Sequence, residues 1–273
     1  MEDAVISHYA RGEILESILH ALETQGKDLS RLKAVDLAPV DEFHIRGREA
    51  TIELANLAAL QPGLRVLDVG SCLGGSVRYL AAERDCRASG IDLTEEYVRV
   101  ANALAALVGL GEAVEFHHAS ALALPFPDRS FDVVWTEHAQ MNIADKSAFY
   151  RELARVLVPG GRLVFHDVFK GPGGSPRFPV PWADDASISF LVDVNEARMA
   201  IVSAGLEISH WEDVTSRSLD WIVAALERVH QSGRSFLGLH LLMGENARSK
   251  SINNVANLRG GCTVIVQARC EKR

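Results

Sequence analysis

The chain has 273 residues, of which 48% are hydrophobic and 23% are charged, and its formal net charge is -8. This length and composition predict one large globular domain with a full hydrophobic core, or one domain with an appendage. Because no Lys/Arg-rich run accompanies the negative charge, the sequence argues against a nucleic-acid substrate. No apolar run reaches about 18 residues, so no membrane span is predicted.

The cysteines and the N-terminus bear on the cellular compartment and on metal binding. Cys72, Cys86, Cys262 and Cys270 form no C-x-x-C pair and have no zinc-like spacing with histidine, so no metal site is predicted. The acidic start, Met1-Glu2-Asp3, is not followed by an apolar segment, so no signal peptide is predicted. Reduced thiols in a cytoplasmic protein are the interpretation that fits both features.

The sequence predicts helices within the first 62 residues. Apolar residues recur at helical spacing between residues 2 and 25, as at Ile14, Ile18 and Leu22. A polar loop containing Pro39 is predicted next, and a second helix is predicted over residues 47–60, ended by Pro62-Gly63.

Strands and helices alternate from residue 63 onward. Strands are predicted over 64–69, 87–92, 113–118, 131–135, 162–168, 206–211 and 262–268, and helices over 74–84, 94–108, 146–157, 188–204, 215–231 and 236–250. Thr94 is the predicted cap of the second of these helices. Five strand–helix alternations followed by a mixed tail predict an α/β fold, with a sheet covered by helices. The Gly/Pro-rich loop over 170–187 follows the fifth strand, at the carboxyl ends of the strands, where ligands bind.

The segment from Leu67 to Gly75 carries the strongest functional signal. It is a buried strand that ends in D-x-G-x-C-x-G, from Asp68 to Gly74, and a predicted helix follows at once. The next strand ends in an acid, Asp92. A glycine turn of this kind lets the backbone approach a ligand, and an acid at the end of the second strand binds ribose hydroxyls.

The acid at the start of this motif separates two cofactor classes. A dinucleotide fingerprint needs G-x-G-x-x-G and a helix N-terminus free for pyrophosphate. Asp68 suits a cofactor that carries an ammonium and a sulfonium instead. The pattern resembles motif I of the class I S-adenosylmethionine-dependent methyltransferases. This resemblance implies a Rossmann-like, seven-stranded, mostly parallel sheet with helices on both faces, and S-adenosylmethionine as the cofactor.

Position in the motifs predicts the cofactor site. Gly70, Ser71 and Gly74 form the turn, Asp68 organises it or faces the cofactor ammonium, and Asp92 binds the ribose beside Leu93. Ala119, Ser120 and Ala121 follow the third strand and are predicted to border the adenine. Glu137 follows the fourth strand, where it either attracts a cation or is a solvated charge. A tight turn and a helix cap are the plain alternatives for the glycines and Asp92.

Several longer segments resemble one subfamily, the sarcosine/dimethylglycine N-methyltransferases. They are residues 41–51, 90–97, 135–146, 155–161 and 179–183. The resemblance implies that residues 1–62 form a helical lid over a core at 63–273, with the loop 170–187 and late helices over 215–257. The chain departs from the usual family residues at three positions, with Cys72 in place of Gly, Glu137 in place of Gln and Ser120 in place of Asp. Cys72 places a side chain where the backbone should approach the cofactor, and Ser120 forms weaker hydrogen bonds than a carboxylate would.

The acceptor site is predicted from the same resemblance and from position. His138 and His44 are the candidate catalytic residues, because methyl transfer needs alignment and at most one proton acceptor. The candidate substrate-binding residues are Phe43, Arg46, Met141, Asn142, His166 and Trp182. The late helices predict either a cover over the acceptor site or the contact of a homodimer.

Three functions remain open at this point. N-methylation of a sarcosine- or dimethylglycine-like amine is favoured by the resemblance. O- or C-methylation of a natural product is the first alternative, and a non-catalytic subunit with a methyltransferase-like fold is the second. An amino-acid acceptor requires a cationic partner for its carboxylate, such as Arg46, Arg48 or Arg177, whereas an apolar acceptor does not.

Overall fold

The computed structural model describes residues 1–233 and 235–273. A seven-stranded sheet lies at the centre in the order β3-β2-β1-β4-β5-β7-β6. The strands are β1 Arg65–Val69, β2 Arg87–Asp92, β3 Val114–His118, β4 Phe131–Glu137, β5 Leu157–Lys170, β6 Leu206–Asp213 and β7 Thr263–Lys272. The first five strands are parallel, and β7 is antiparallel to β5 and β6. The predicted mostly parallel α/β sheet is confirmed.

Helices cover both faces of the sheet and extend over the carboxyl ends of its strands. They are α1 Glu2–Tyr9, α2 Ile14–Thr24, α3 Ala34–Asp41, α4 Gly47–Leu57, α5 Gly75–Arg84, α6 Glu95–Leu107, α7 Lys146–Val156, α8 Val194–Ser203, α9 Thr215–Ser232, α10 His240–Met243 and α11 Ala247–Arg259. Two apolar clusters fill the space between these helices and the sheet. A third cluster packs α2 and α3 against α6, and a fourth joins α1 to the loop after β5. No helix within the described residues is long and apolar enough to span a membrane.

Two sequence predictions about the N-terminal region are wrong. The predicted helix over residues 2–25 is two helices, because the chain turns at Gly12, where φ is +86°. Glu96 of α6 accepts hydrogen bonds from the backbone N–H groups of Arg11 (2.8 Å) and Gly12 (2.9 Å) and so stabilises the break. Pro39 lies inside α3 and not in a loop, in the second half of that helix, where proline cannot donate a backbone hydrogen bond.

Later boundaries also differ from those predicted. The helix predicted from residue 188 begins at Val194, where Asp193 accepts hydrogen bonds from the N–H groups of Asn195 (2.8 Å) and Glu196 (3.0 Å). The helix predicted over 236–250 is the separate helices α10 and α11. Thr94 occupies the N-cap position of α6, but its side chain forms no capping hydrogen bond.

A buried ion pair connects the N-terminal helices to the cofactor turn. Arg78 of α5 is fully buried, and its Nη2 donates to Oδ2 of Asp41 at the end of α3, at 2.5 Å. Its Nη1 donates to the backbone oxygen of Leu73, at 2.7 Å. Arg78 therefore positions the turn after β1 relative to α3.

Candidate active site

A large cavity opens at the carboxyl ends of the parallel strands. Its volume is about 920 Å³, and its wall is formed by α1, the loops after β1 to β4, the loop 171–193 and the late helices. Pockets for small molecules occupy about 300–1,000 Å³. This cavity is therefore large enough for a nucleoside cofactor and a second small molecule.

The turn after β1 brings backbone to the cavity wall. The N–H groups of Gly70 and Ser71 both donate to the backbone oxygen of Ile91, at 2.9 Å and 2.8 Å. Gly70 has φ +84°, and a Cβ at this position would lie 2.7 Å from Cβ of Ala139. Only glycine fits here, because both the positive φ and the close approach exclude a side chain.

Asp92 supports this turn and faces the cavity. Its Oδ2 accepts the N–H of Cys72 (2.9 Å), and its Oδ1 accepts the N–H of Thr94 (2.8 Å). Burial raises the pKa of the Asp92 carboxyl, and the hydrogen bonds from the Thr94 and Cys72 backbones oppose that shift. Each oxygen keeps a further lone pair, so the carboxylate can accept two hydroxyl groups from the cavity.

The predicted adenine border forms the adjoining wall. Leu93, Ala119, Ser120 and Ala121 all line the cavity. The Ser120 hydroxyl donates to Oε1 of Glu2 in α1 (2.5 Å) and accepts the N–H of Leu122 (3.1 Å). This wall therefore offers mainly apolar contact, together with one hydroxyl that is already bonded.

Cys72 places a thiol where the family usually has glycine. Its φ is +49°, a conformation that side chains rarely adopt, and the residue lines the cavity. Burial raises the pKa of this thiol well above its ordinary value, and the charge of Asp92 adds to the effect. The thiol is therefore neutral, and it narrows the cavity beside the turn.

Three buried charged residues, Glu42, His44 and Glu137, lie together at the cavity, and we call them the charge cluster; His44 and Glu137 belong to the cavity wall. His44 Nε2 lies 3.0 Å from Glu42 Oε2 and 3.6 Å from Glu137 Oε2. Glu137 also accepts hydrogen bonds from Ser76 Oγ (2.7 Å) and Trp135 Nε1 (2.9 Å). Only 7% of Glu137 is exposed, so the alternative of a solvated charge is wrong.

The charge cluster keeps His44 protonated. Burial opposes its positive charge, but Glu137 and Glu42 outweigh burial and raise the pKa of His44 to about 9. Burial raises the pKa of Glu137, and the positive charge of His44 partly offsets that shift. A histidine that is already protonated cannot accept a proton, so this geometry does not support His44 as a base, and its catalytic role stays a prediction.

Stability should depend on pH through His44. Its pKa is higher in the folded chain, about 9, than the ordinary 6.5, so the folded state binds this proton more tightly. The contribution is complete below pH 6.5 and is lost as the pH rises through 9, a loss of about 2–3 kcal/mol. Urea unfolding at pH 6.5 and pH 9 measures the loss in wild type and in His44→Gln.

The comparison between variants isolates His44 from other titrating groups. We expect His44→Gln to lose clearly less stability than wild type between pH 6.5 and pH 9. The control, His20→Gln on the exposed side of α2, should behave as wild type does. Equal losses in wild type and His44→Gln would contradict the assignment of a protonated His44.

His138 lines the cavity beside the charge cluster, with its ring centroid 6.1 Å from that of His44. It has φ +50°, and its ring stacks on that of His166, with centroids 5.2 Å apart and planes inclined by 15°. Its Nε2 has no hydrogen-bond partner among the described residues. Burial lowers the pKa of His138 well below 6.5, and the charges of His166 and His44 lower it further. His138 is therefore a neutral imidazole whose Nε2 is buried without a hydrogen-bond partner in the described part of the chain.

Asn142 joins three segments of the cavity wall. Its Oδ1 accepts the hydroxyl of Tyr9 (2.8 Å), and its Nδ2 donates to the backbone oxygens of Trp182 and Ile188, both at 2.9 Å. Phe43, Met141 and Trp182 line the cavity beside it. The Asn142 amide is thus already bonded to the protein, which suits a role in positioning the wall better than direct contact with a substrate.

Five of the predicted site residues are not part of the cavity wall. They are Asp68, Ser71, Gly74, Arg46 and His166. Arg46 is buried and its guanidinium pairs with Glu53, so it does not face a ligand. His166 is fully buried within β5, and its Nε2 lies 3.1 Å from the Ile45 backbone oxygen. The predicted substrate contacts of Arg46 and His166 are therefore not seen.

Gly74 and Asp167 have structural roles next to the cavity. A Cβ on Gly74 would lie 2.4 Å from the ring of Phe116, so this glycine permits packing of α5 on the sheet. Asp167 lies beside His166 and accepts hydrogen bonds from the N–H groups of Ala139 (3.2 Å) and Gln140 (3.1 Å). Asp167 therefore fixes the loop that carries His138.

Several wall residues were missed from the sequence. Tyr9, Tyr97 and Asn254 all line the cavity, and both the hydroxyl of Tyr97 and Oδ1 of Asn254 are buried without a partner within the described chain. Helix α9 contributes an apolar stripe, which consists of Trp221, Ile222, Ala225, Leu226 and Val229. The helical spacing of this stripe was readable in the sequence, whereas nothing marked Tyr9 or Asn254 as facing the same space.

Comparison with known proteins identifies the fold family. Residues 67–165 match a family model described as a methyltransferase domain. The chain belongs to the class I methyltransferases. The crystal structure of the [4+2]-cyclase SpnF shares the fold over 97% of this chain and 98% of that one, with a TM-score of 0.68 and 24% identity. A putative sarcosine dimethylglycine methyltransferase from Galdieria sulphuraria has a TM-score of 0.66 at 19% identity, over 83% of this chain and 85% of that one.

Sequence relatives of this methyltransferase chain act on different atoms. A 27-O-demethylrifamycin SV methyltransferase from Amycolatopsis mediterranei is 33% identical over 188 residues, which are 65% of this chain and 66% of that protein. Phosphoethanolamine N-methyltransferase 3 from Arabidopsis thaliana is 32% identical over 197 residues, 70% of this chain but only 38% of that protein. The chain thus spans less than two-fifths of the plant relative.

Proposed function

We propose that this protein transfers a methyl group from S-adenosylmethionine to a small, largely apolar acceptor. The observation that carries the proposal is a shared cavity, whose wall includes Asp92, the glycine turn and His138, a histidine whose Nε2 is unpaired among the described residues. A carboxylate that could bind ribose hydroxyls, in the same cavity as a group that could accept a proton, suits cofactor-dependent methyl transfer.

The wall residues fit the cofactor. Asp92 would bind the ribose hydroxyls, and Leu93, Ala119 and Ala121 would pack against the adenine. Oε1 of Glu137 is buried and has no partner within the described residues, so the cofactor ammonium suits this position. When bound, S-adenosylmethionine supplies a methyl group that is already activated on a sulfonium.

The chain contributes alignment, exclusion of water and one proton acceptor. Trp182 and the apolar stripe of α9 enclose the acceptor space and keep water out of it. His138 would accept the proton of an acceptor hydroxyl at Nε2, while the stacked ring of His166 and the bonds of Asp167 hold it in place. We also propose that residues 1–62 act as a cap, since α1 and residues 43–45 lie in the cavity wall.

The charge of the cavity favours an apolar acceptor over an amino acid. A sarcosine- or dimethylglycine-like acceptor carries a carboxylate, which needs a Lys or Arg partner. Arg46 and Arg48 pair with glutamates, and Arg177 is not in the wall. Arg248 is the only Lys or Arg among the described wall residues, and it is exposed. O- or C-methylation therefore has more support than the N-methylation favoured by the resemblance.

His138 can be tested with two substitutions. His138→Ala removes both the ring and the proton acceptor, whereas His138→Phe retains a ring that stacks on His166. If Nε2 accepts the acceptor proton, kcat should fall about 100-fold or more in both variants, with little change in cofactor affinity. Retained turnover in His138→Phe would show that the ring is needed only for packing.

The proposal as a whole is tested with S-adenosylmethionine labelled on its methyl group. Two acceptor panels are compared, one of apolar phenols and polyketide-like alcohols and one of sarcosine, dimethylglycine and phosphoethanolamine. We expect label to enter members of the first panel. Transfer to the amine panel alone would overturn the acceptor class, and transfer to neither at saturating concentrations would count against methyl transfer.

A second candidate function is a methyltransferase-like protein that does not transfer a methyl group. One observation favours it, the Cys72 side chain in the turn. One of the fold neighbours that cover nearly the whole chain is described as a cyclase, so this fold does not by itself imply methyl transfer. In this alternative the cavity binds its acceptor and the cofactor is not consumed. Cofactor binding without methyl transfer to either panel is the outcome that would favour it.

A further inference from the structure

Helix α11 carries three asparagines with different surroundings. Asn253 Nδ2 donates to the backbone oxygen of Pro179, at 3.0 Å. Asn257 Nδ2 donates to the backbone oxygen of Arg177 (3.0 Å), and its Oδ1 accepts the Arg177 N–H (2.7 Å). These two side chains attach the loop 171–193 to α11, and their amides are satisfied by that contact.

Asn254 has no such partner. It is only 2% exposed, it lies in the cavity wall, and its Oδ1 is buried without a hydrogen-bond partner among the described residues. Buried polar side chains in folded proteins are nearly always hydrogen-bonded, because an unsatisfied one destabilises the fold. An unpaired amide in the wall of a cavity therefore points to a ligand that supplies the missing bond.

The surroundings of Asn254 define the chemistry of that ligand. The same cavity wall carries the apolar stripe of α9, together with Leu237, Met243 and Ala247. An amide offers one acceptor and two donors but no charge, so it matches a hydroxyl, carbonyl or amide group and not an ion. An extended apolar molecule with one neutral polar group would satisfy both the stripe and Asn254.

We propose that Asn254 binds a neutral hydrogen-bonding group on the acceptor, whose apolar body packs along the α9 stripe. The proposal rests on the acceptor space of the proposed function and adds a specificity-determining residue to it. Asn254 thereby discriminates between oxygenated molecules and hydrocarbons of the same shape, because a site built to bind a hydroxyl is left unpaired by the analogue that lacks it.

Two probes of nearly equal shape test this discrimination, 2-naphthol and 2-methylnaphthalene. Their dissociation constants are measured by ligand-observed NMR on the full chain, and the ratio of the two constants is compared between variants. Wild type should bind 2-naphthol about five-fold more tightly than its size-matched analogue, the effect of one neutral hydrogen bond. In Asn254→Leu the two probes should bind about equally. The control Ser251→Ala should keep the wild-type ratio, because Ser251 also lines the cavity but its hydroxyl donates to the Ala247 backbone oxygen (2.8 Å).

Thermal stability provides a second readout. Removal of an unpaired buried amide should stabilise the free protein, so Asn254→Leu should raise Tm by about 2–4 °C. A lower Tm would show that the amide is satisfied within the fold, and this would overturn the proposal.

Three further results would contradict the proposed role of Asn254. They are an unchanged ratio of the two dissociation constants in Asn254→Leu, a ratio in Ser251→Ala that falls as far as in Asn254→Leu, and failure of both probes to bind. Neither measurement uses the cofactor. A chain that does not bind S-adenosylmethionine but shows the expected ratios would therefore refute the proposed function and leave this inference standing.

Discussion

Substitution of Asp92 by alanine should weaken the binding of S-adenosylhomocysteine by at least about 100-fold. The wild-type carboxylate would accept two ribose hydroxyls, and each hydrogen bond to a charged group contributes about 1.5–3 kcal/mol. Asp92 also accepts the N–H groups of Cys72 and Thr94, so its loss releases the turn that approaches the cofactor. Calorimetric titration of both proteins measures the change.

A matched variant separates the ribose contact from the support of the turn. Asp92→Asn keeps an acceptor oxygen and the side-chain volume but loses the charge, so we expect an intermediate loss of affinity. Similar unfolding midpoints in wild type and Asp92→Asn would show that the fold is intact. If Asp92→Ala bound the product as tightly as wild type, the ribose assignment would be wrong.

Substitution of Arg78 by methionine should have the largest effect on stability. The guanidinium is fully buried against Asp41, and removal of one partner leaves an unpaired buried charge, which costs about 3–5 kcal/mol. Burial raises the pKa of Asp41 to about 6 even though Arg78 opposes the shift, so protonation of Asp41 limits the loss at low pH. Urea unfolding at pH 7.5 measures the destabilisation.

A double variant tests whether the ion pair is the cause. Asp41→Leu in the Arg78→Met background removes the orphaned carboxylate, so it should recover much of the lost stability. The hydrogen bond from Arg78 to the Leu73 backbone oxygen stays absent in both variants, so cofactor affinity should remain low in each. Equal instability of the single and double variants would mean that packing of Arg78 matters more than its charge.

Most of the fold was predictable because its signals are local. The strand from Leu67 to Val69, its glycine turn and the acid at Asp92 are contiguous or nearly so, and each reports the backbone geometry that it needs. The boundaries in the N-terminal region were not predictable. The break after α1 depends on Glu96, a residue more than eighty positions away, and Pro39 lies within α3 although proline is unfavourable inside a helix.

Of the residues predicted for the candidate site, most of those proposed to bind the cofactor lie in the cavity wall, but Asp68, Ser71 and Gly74 do not. The residues from Gly70 to Ala121 follow strand ends, and parallel strands bring those ends to one edge. The part of the cavity proposed for the acceptor combines α1, α9 and α11 with the loop 171–193. No local sequence pattern shows which side chains of these elements line the cavity. Arg46 and His166 were expected there, but Glu53 and the Ile45 backbone bind them elsewhere. Asn254 gave no signal, since its role depends on what its neighbours leave unpaired.

The central claim is that this cavity holds S-adenosylmethionine although Cys72 stands in its turn. Calorimetric titration of the purified full chain with S-adenosylmethionine and with S-adenosylhomocysteine tests it most directly. The geometry of Gly70, Asp92 and Glu137 predicts micromolar dissociation constants for both ligands, with one site per chain. No detectable heat for either ligand at concentrations up to about 1 mM would contradict the claim and would identify the Cys72 side chain as the first cause to examine.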